Sequence, residues 1–462
     1  MTPASIKHRI SGAVSATLFG LIADGTSILP PRWRYAYIHP ITRRLFPRQL
    51  GVLRALANAS PPSSIIAQRP ADIVCAIVTD KLDVGGIGAV VEMLVRGLGD
   101  FGVRPVVVCQ GDGPRAQRLR ELGVVVISVA DGATDISAVR AARADVVQVH
   151  SAPPLLEQAA IDSGVPLIAV LHNTEIHYSR LQWSRFAILC SRASATAAVS
   201  RVVKDFHRRH LPATASDVCA IIPNGAPHRM RADHEGRSIA RDLLSHAIGH
   251  DLTDAVVFVC LARYDSQKNI AGTVASFLRA SATTEFPVHL VIAGEPSDWI
   301  ELRRAEGIRR RSRYSDRVHL LGQSDATGLL NAGDVFLLDS FFEGWPVAAS
   351  EALDAGLPLM LSDVGGAAEL VASDPERSIL IPNAAGPADA VTDARVGRAR
   401  RRSGRQENGA QFTAAIVNLA SRIVQDRADS PHMGSTVSGG SVTGMVRAHA
   451  ELIRRVFLST RL

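Results

Sequence analysis

Short runs rich in valine and isoleucine recur along this chain at 73–78, 105–109, 124–129, 146–149 and 166–171, with helix-like stretches or loops between them. After a polar interval at 228–237 the rhythm restarts, at 255–262, 288–293, 318–321, 335–338, 357–361 and 379–382. Strands whose two faces are both covered by helices read as continuous apolar runs, whereas a half-solvated strand alternates. The pattern therefore predicts an α/β protein with two doubly wound, Rossmann-like domains facing a central cleft. Their expected bounds are 71–230 and 231–440. An N-terminal extension (1–70) precedes them and a C-terminal helix (441–462) follows.

At 462 residues the chain exceeds one ordinary core. The extension carries Arg32, Arg34, Arg43, Arg44, Arg48 and Arg54 among aromatic and proline residues and ends in a turn-rich Ser-Pro-Pro-Ser-Ser segment at 60–64. Residues 10–23 have the outline of a weak signal peptide, but polar residues interrupt the apolar run and no small-x-small cleavage site follows. Membrane-surface contact is the reading favoured over cleavage there. The net charge of +7 favours anionic partners such as phosphates or an acidic membrane face. Nucleic acid is not indicated, because aromatic residues are only 5% and no stacking platform stands out. Five widely spaced cysteines without a Cys-x-x-Cys pair suggest buried thiols in a reducing compartment and no cysteine-bound metal. The arginine-rich stretch 395–405 reads as a solvated loop.

Glu343 and Glu351 stand eight positions apart in a segment that runs from a loop into a helix. Pro346 suits a first helical position, and Gly356 with Pro358 reads as the stop, giving a helix of about ten residues. Ala348, Ala352 and Ala355 flank Glu351 at helical spacing, so its carboxylate is expected to see little water. By itself the pair could form a structural ion pair or accept hydroxyls from a ligand.

Three further constellations fall at expected strand ends, where doubly wound sheets bind ligands. Gly85 and Gly86 lie in a glycine-rich turn opening a helix, whose free N–H groups suit an anion. That turn lacks the full dinucleotide fingerprint, and no acidic residue closes the next strand, which disfavours a nicotinamide cofactor. Arg263 and Lys268 follow the first strand of the second domain, where a fork donor and a point charge could grip a diphosphate or simply be solvated. His150 and His172 close two strands of the first domain, either as cleft groups or as structural histidines.

In their order these pieces resemble the retaining GT-B glycosyltransferases of glycosyltransferase family 4, over roughly 73–370. Carrying the resemblance are the Gly85-Gly86 loop, His150, the turn at 221–225, the 263–269 segment, the strand and loop ending in Gly294-Glu295, and the Glu343 to Glu351 motif with 363–366 behind it. The resemblance implies that Arg263 and Lys268 hold the donor diphosphate, with the Gly85-Gly86 loop beneath it. Glu343, with Gly344, Trp345 and Pro346, would lie beside the donor sugar. Glu351 would accept the ribose hydroxyls, Gly294 and Glu295 would lie near the base, and His150 near the sugar. One departure is visible: the family often has His-x-His where this chain has Gln148-Val149-His150.

The expectation is a cytoplasmic enzyme, peripheral to the membrane's inner face if the extension attaches there. It would move a sugar from a nucleotide-sugar to a sugar or lipid-linked acceptor hydroxyl, in polysaccharide or glycolipid synthesis, with no further cofactor. No Asp-x-Asp motif occurs, which fits a metal-independent site. A decayed sugar-nucleotide-binding or scaffold protein and a sugar-nucleotide epimerase of the same fold are the alternatives.

Overall fold

The computed structural model describes residues 72–82, 85–130, 136–212, 219–226, 232–429 and 441–460, together with 53–56 and isolated positions between 18 and 45. The first series of apolar runs forms β1 (Ile73–Thr79), α1 (Gly86–Gly97), β2 (Val103–Gln110), α2 (Pro114–Glu121), β3 (Val126–Val129), α3 (Ile136–Ala141), β4 (Val146–His150), α4 (Pro154–Asp162), β5 (Leu167–Leu171), α5 (Arg180–Arg192), β6 (Ala195–Ala198), α6 (Arg201–His210) and β7 (Cys219–Ile221). Helix α7 (His234–Ile248) leads into β8 (Val256–Leu261), α8 (Ile270–Ala280), β9 (Val288–Ala293), α9 (Trp299–Arg310), β10 (Val318–Leu321), α10 (Ala326–Ala332), β11 (Val335–Leu338), α11 (Val347–Asp354), β12 (Leu359–Ser362), α12 (Ala367–Val371), β13 (Ile379–Ile381), α13 (Asp393–Arg401), α14 (Gly409–Asp429) and α15 (Val442–Ser459).

Strand order is β3-β2-β1-β4-β5-β6-β7 in one sheet and β10-β9-β8-β11-β12-β13 in the other, all in parallel pairs. The winding reverses between β1 and β4, and again between β8 and β11. In an open parallel sheet, loops diverge at such a point and leave a crevice at the carboxyl ends of the strands. Both central strands are buried almost throughout, Val256 to Cys260 at no more than 1% exposure, which is why their sequences read as unbroken apolar runs.

Helix α15 is last in the chain yet packs on the first sheet. Met445, Val446, Leu452, Ile453 and Val456 share one core with Ile77, Val90, Leu94 and Val107. Gly97 in α1 gives Val446 room, since a Cβ there would come within 3.0 Å of its methyl carbon. The extension also touches the second domain: Arg54 O accepts from Gly322 N (2.8 Å), and Leu56 N donates to Ser324 Oγ (3.1 Å) beyond the edge strand β10. Most of residues 1–70, including most of 10–23 and Arg32, Arg34, Arg43, Arg44 and Arg48, lies outside the described residues.

Three local expectations are corrected. The stretch 395–405 is not a solvated loop: it continues α13 into a short 3-10 turn. Arg400 is 3% exposed and ion-pairs with Glu301 of α9, itself 1% exposed, so one arginine of the run is a core partner. Pro346 caps α11 from outside instead of opening it, and the helix is 8 residues long. Strand β6, Ala-Thr-Ala-Ala, was absent from the valine-rich series because its composition carries no strand signal. Cys75, Cys109, Cys190 and Cys260 are buried and Cys219 is half-buried, all as free thiols.

Candidate active site

Loops leaving β8 and β11 meet at the second sheet's reversal point. The loop after β8 is organised by Asp265, whose Oδ1 accepts the backbone N–H groups of Gln267 (3.0 Å) and Lys268 (3.1 Å). This is the aspartate turn that places a short side chain over its own following amides. Burial raises the Asp265 carboxyl above its ordinary value, and Arg263 and Lys268 oppose the rise. Arg263 pairs with Asp265 Oδ2 at 3.1 Å while its side chain stays 46% exposed. Tyr264 is fully buried; its hydroxyl reaches the carbonyls of Ile292 (2.9 Å) and Leu321 (2.7 Å), tying the loop to β9 and β10.

Lys268 projects to Glu343 in the loop after β11, with Nζ 2.5 Å from Oε1. Gln267 Nε2 donates to the other oxygen (3.1 Å) and to Phe342 O (2.9 Å). Glu343 is 5% exposed, so its charge is met by an ammonium and an amide in place of water. Beneath Lys268, Asn269 adopts φ 51° and donates from Nδ2 to Asp339 Oδ2 (2.9 Å). Burial pushes the Asp339 carboxyl up to about 8, against the hydrogen bonds from Asn408 and Asn269.

After Glu343 the chain passes through Gly344, where an added Cβ would strike the carbonyl oxygen of His172 in the first domain. That close approach needs glycine. Trp345 is buried and donates from Nε1 to Ser350 Oγ (2.8 Å), pinning the loop to α11. Gly366 N reaches back to Gly344 O at 2.9 Å. Glu351 is half-buried on α11, wetter than its alanine neighbours suggest. Gly294 follows β9 so closely against Ala262 that a Cβ would meet that residue's carbonyl oxygen, and Glu295 O accepts from Tyr264 N (3.0 Å). The expected base-side residues thus share one connected loop system with Arg263 and Lys268.

Across the cleft, Gly85 caps α1 and the open side of Gly86 looks onto Val347, 4.0 Å from where its Cβ would be. Other contacts join the domains: His177 Nδ1 to Asp393 Oδ1 (2.7 Å), Arg201 N to Glu369 Oε1 (3.1 Å) and Arg209 to Asp389 (3.7 Å). His150 closes β4 but does not open to the cleft surface. Its ring is fully buried, with Nδ1 2.8 Å from His172 Nε2 and Nε2 2.8 Å from Gln148 Oε1. Burial holds it well below the ordinary imidazole value, with the neighbouring His172 and His449 adding to the effect.

The structure therefore brings Arg263, Lys268, Glu343, Gly294 and Glu295 into one connected loop system continued by Gly344 and Trp345, sets Gly86 opposite Val347 at the start of α11, and buries His150 behind the cleft surface. Sequence reasoning gave no role to Asp265, Gln267 or Tyr264, although the Asp-Ser-Gln-Lys spacing is a recognisable turn signal. It also missed His449, which nothing local ties to the site. Among the described residues, no group of three histidine, cysteine or acidic side chains has the arrangement to hold a metal. None of the described helices is long and apolar enough to cross a membrane.

The family model described as "Glycosyltransferase Family 4" matches residues 84–229, and the one described as "Glycosyl transferases group 1" matches 255–394. An O-antigen biosynthesis glycosyltransferase of Escherichia coli, WbnH, is 33% identical over 91 residues, which are 20% of this chain and 25% of that protein. The D-inositol 3-phosphate glycosyltransferase of Gordonia bronchialis is 26% identical over 230 residues, 44% of this chain and 48% of the relative. The chain thus spans between a quarter and about half of these relatives' lengths. Among solved structures, Anabaena HepE in complex with UDP-glucose superposes with a TM-score of 0.61 at 17% identity, covering 83% of this chain and all of that one. The catalytic domain of Arabidopsis thaliana starch synthase IV, bound to ADP and acarbose, gives 0.55 at 15% identity, covering 84% and 99%. These superpositions establish the two-domain fold.

Proposed function

Since the models for Glycosyltransferase Family 4 and Glycosyl transferases group 1 match the two domains in turn, this chain belongs to these glycosyltransferases, and we propose that it transfers a sugar from a nucleotide-sugar to an acceptor hydroxyl, with retention at the anomeric carbon and without a metal. The observation that carries this reading is the contact of Lys268 with Glu343 at the reversal point of the second sheet, beside the half-exposed Arg263. As the glycosidic bond breaks, the leaving diphosphate gains charge. Arg263, Lys268 and the amides at the start of α1 are aimed where that charge develops. The departing phosphate oxygen takes the acceptor's proton on the same face, so no carboxylate pair of the hydrolase type is required. Glu351 receives the ribose hydroxyls, the Gly294-Glu295 loop flanks the base, and Glu343 with Gly344 to Pro346 borders the sugar.

A uridine nucleotide is the first donor to try, because HepE was solved with UDP-glucose. A growing polysaccharide or glycolipid at a membrane face is the acceptor class suggested by the O-antigen enzyme. Incubation with a panel of nucleotide-sugars, scoring released nucleoside diphosphate and the anomeric configuration of the product, tests the reading. Release of nucleoside diphosphate into an inverted product would remove retention. Donor binding without turnover by any of them would favour a binding protein, and a converted but still nucleotide-linked sugar would favour an epimerase. Attachment through the extension is tested by liposome sedimentation after deletion of residues 1–52, which spares the 53–56 contacts; unchanged binding would discard it.

A further inference from the structure

Gln148 lies on β4 with its side chain shut away from water, and its amide joins two imidazole rings. Its Oε1 lies 2.8 Å from His150 Nε2, and its Nε2 lies 3.0 Å from His449 Nδ1 on the final helix. His150 Nδ1 in turn lies 2.8 Å from His172 Nε2. Gln148 and His150 have no exposed surface, His449 is 1% exposed and His172 is 7% exposed. Four side chains from β4, the end of β5 and α15 therefore form one chain of three hydrogen bonds shut away from water.

We propose that Gln148 and His449 are positioning residues for the reaction, fixing the tautomer and ring orientation of His150 and, through it, of His172. This rests on the transferase reading above. A neutral imidazole has one N–H and one acceptor, whereas an amide has a donor end and an acceptor end. With the amide oxygen toward His150, that ring must carry its proton on Nε2, so Nδ1 accepts and His172 donates from Nε2. At the other end the amide N–H donates to His449 Nδ1, which leaves that ring's proton on Nε2. Turning the amide over would reverse every role in the chain, so the states of the three rings are set together by one glutamine. Burial keeps the rings uncharged: it lowers His172 to about 3 and His449 to about 4.

The chain ends at the cleft wall. Thr79 Oγ1 donates to His150 O at 3.0 Å, joining the β4 end to the strand that feeds the Gly85-Gly86 loop. The carbonyl oxygen of His172 is the group against which Gly344 packs, one residue after Glu343. A ring released at 150 or 172 would disturb the surface on which the sugar-side loop rests while leaving Arg263 and Lys268 in place. That predicts an effect on turnover instead of donor affinity.

The test uses the full chain labelled with 15N-histidine, the His150 and His449 signals being assigned by their loss in single variants. Wild type should show one tautomer for each ring. Gln148→Leu, close in size but without donor or acceptor, should give mixed tautomers at both rings and a kcat reduced tenfold or more, with donor KM within twofold. His449→Leu should reproduce the mixed tautomers at His150 and the loss of kcat, and Gln148→His, able to bridge again, should recover kcat to within threefold of wild type. Should Gln148→Leu fail to fold, His449→Leu, which cannot accept the amide N–H, is read in its place with the same expected loss of a single His150 tautomer. Unchanged ring signals, or a raised KM at unchanged kcat, would overturn the proposal. If wild type turns over no donor, the tautomer measurement still decides the positioning of the rings, and only the transferase reading falls.

Discussion

Lys268 Nζ and Glu343 Oε1 meet at 2.5 Å between the loops that leave adjacent strands β8 and β11. The lysine that would face a diphosphate is thus held in place by the carboxylate that would face the sugar, and each keeps the other from burial without a partner.

Lys268→Ala should lower transfer by several orders of magnitude and leave the circular dichroism spectrum unchanged. It also strips Glu343 of its ammonium, which should cost about 1–3 kcal/mol in urea denaturation. Adding Glu343→Ala should return part of that stability without returning activity. Wild-type-like turnover in the single variant would refute the donor-site assignment.

Gly344→Ala places a methyl against the His172 carbonyl. Because that carbonyl belongs to the other domain, the substitution should wedge the cleft open. Small-angle scattering should show an increased radius of gyration, and donor turnover should fall at least tenfold. A scattering curve superposing on wild type would show that the loop yields instead.

Acidification should act through His449. Its folded value, about 4, lies below the ordinary 6.5, so the unfolded chain binds the proton first. The stability it contributes is complete above about pH 6.5 and is lost as pH falls toward 4. Between pH 7 and 5 wild type should lose on the order of 2 kcal/mol more than His449→Gln. Comparing the two proteins separates this histidine from Glu157, Glu175 and Asp339, whose carboxyls burial raises to about 7, 7 and 8 and which act in the opposite direction. Parallel pH profiles of the denaturation midpoint would exclude the effect.

Arg400→Ala should destabilise by about 3 kcal/mol, since it removes the shorter of two arginine contacts to the buried Glu301, the other being Arg304 at 3.5 Å. Donor KM should not change, because this pair joins α9 and α13 and leaves the Arg263, Lys268 and Glu343 contacts intact. A KM shift would mean that these helices shape the donor loops.

The fold was readable where burial on both strand faces left runs such as 256–261, and unreadable at β6, whose alanines suit a helix equally well. At the site, glycine, proline and paired charges announced the Glu343 loop, because close approach and charge pairing restrict residue choice. The burial of His150 was not announced: a strand-end histidine looks the same in sequence whether it opens to a cleft or bonds to Gln148. Its outer support, His449, comes from the far end of the chain, and no local spacing encodes a contact formed only by tertiary packing.

Helix α15 gives this arrangement an order in time. During synthesis β1 to β7 emerge well before residues 442–459, and the intervening second domain takes roughly 10 to 40 s at ordinary translation rates. Through that interval the apolar groove of Ile77, Val90 and Leu94 lacks its cover, and the Gln148 amide lacks His449. The first domain is thus completed by a helix that follows the whole second domain in sequence. A partly made protein exposes an apolar groove, and a nonsense mutation within the second domain should also damage the first, whose core it deprives of α15.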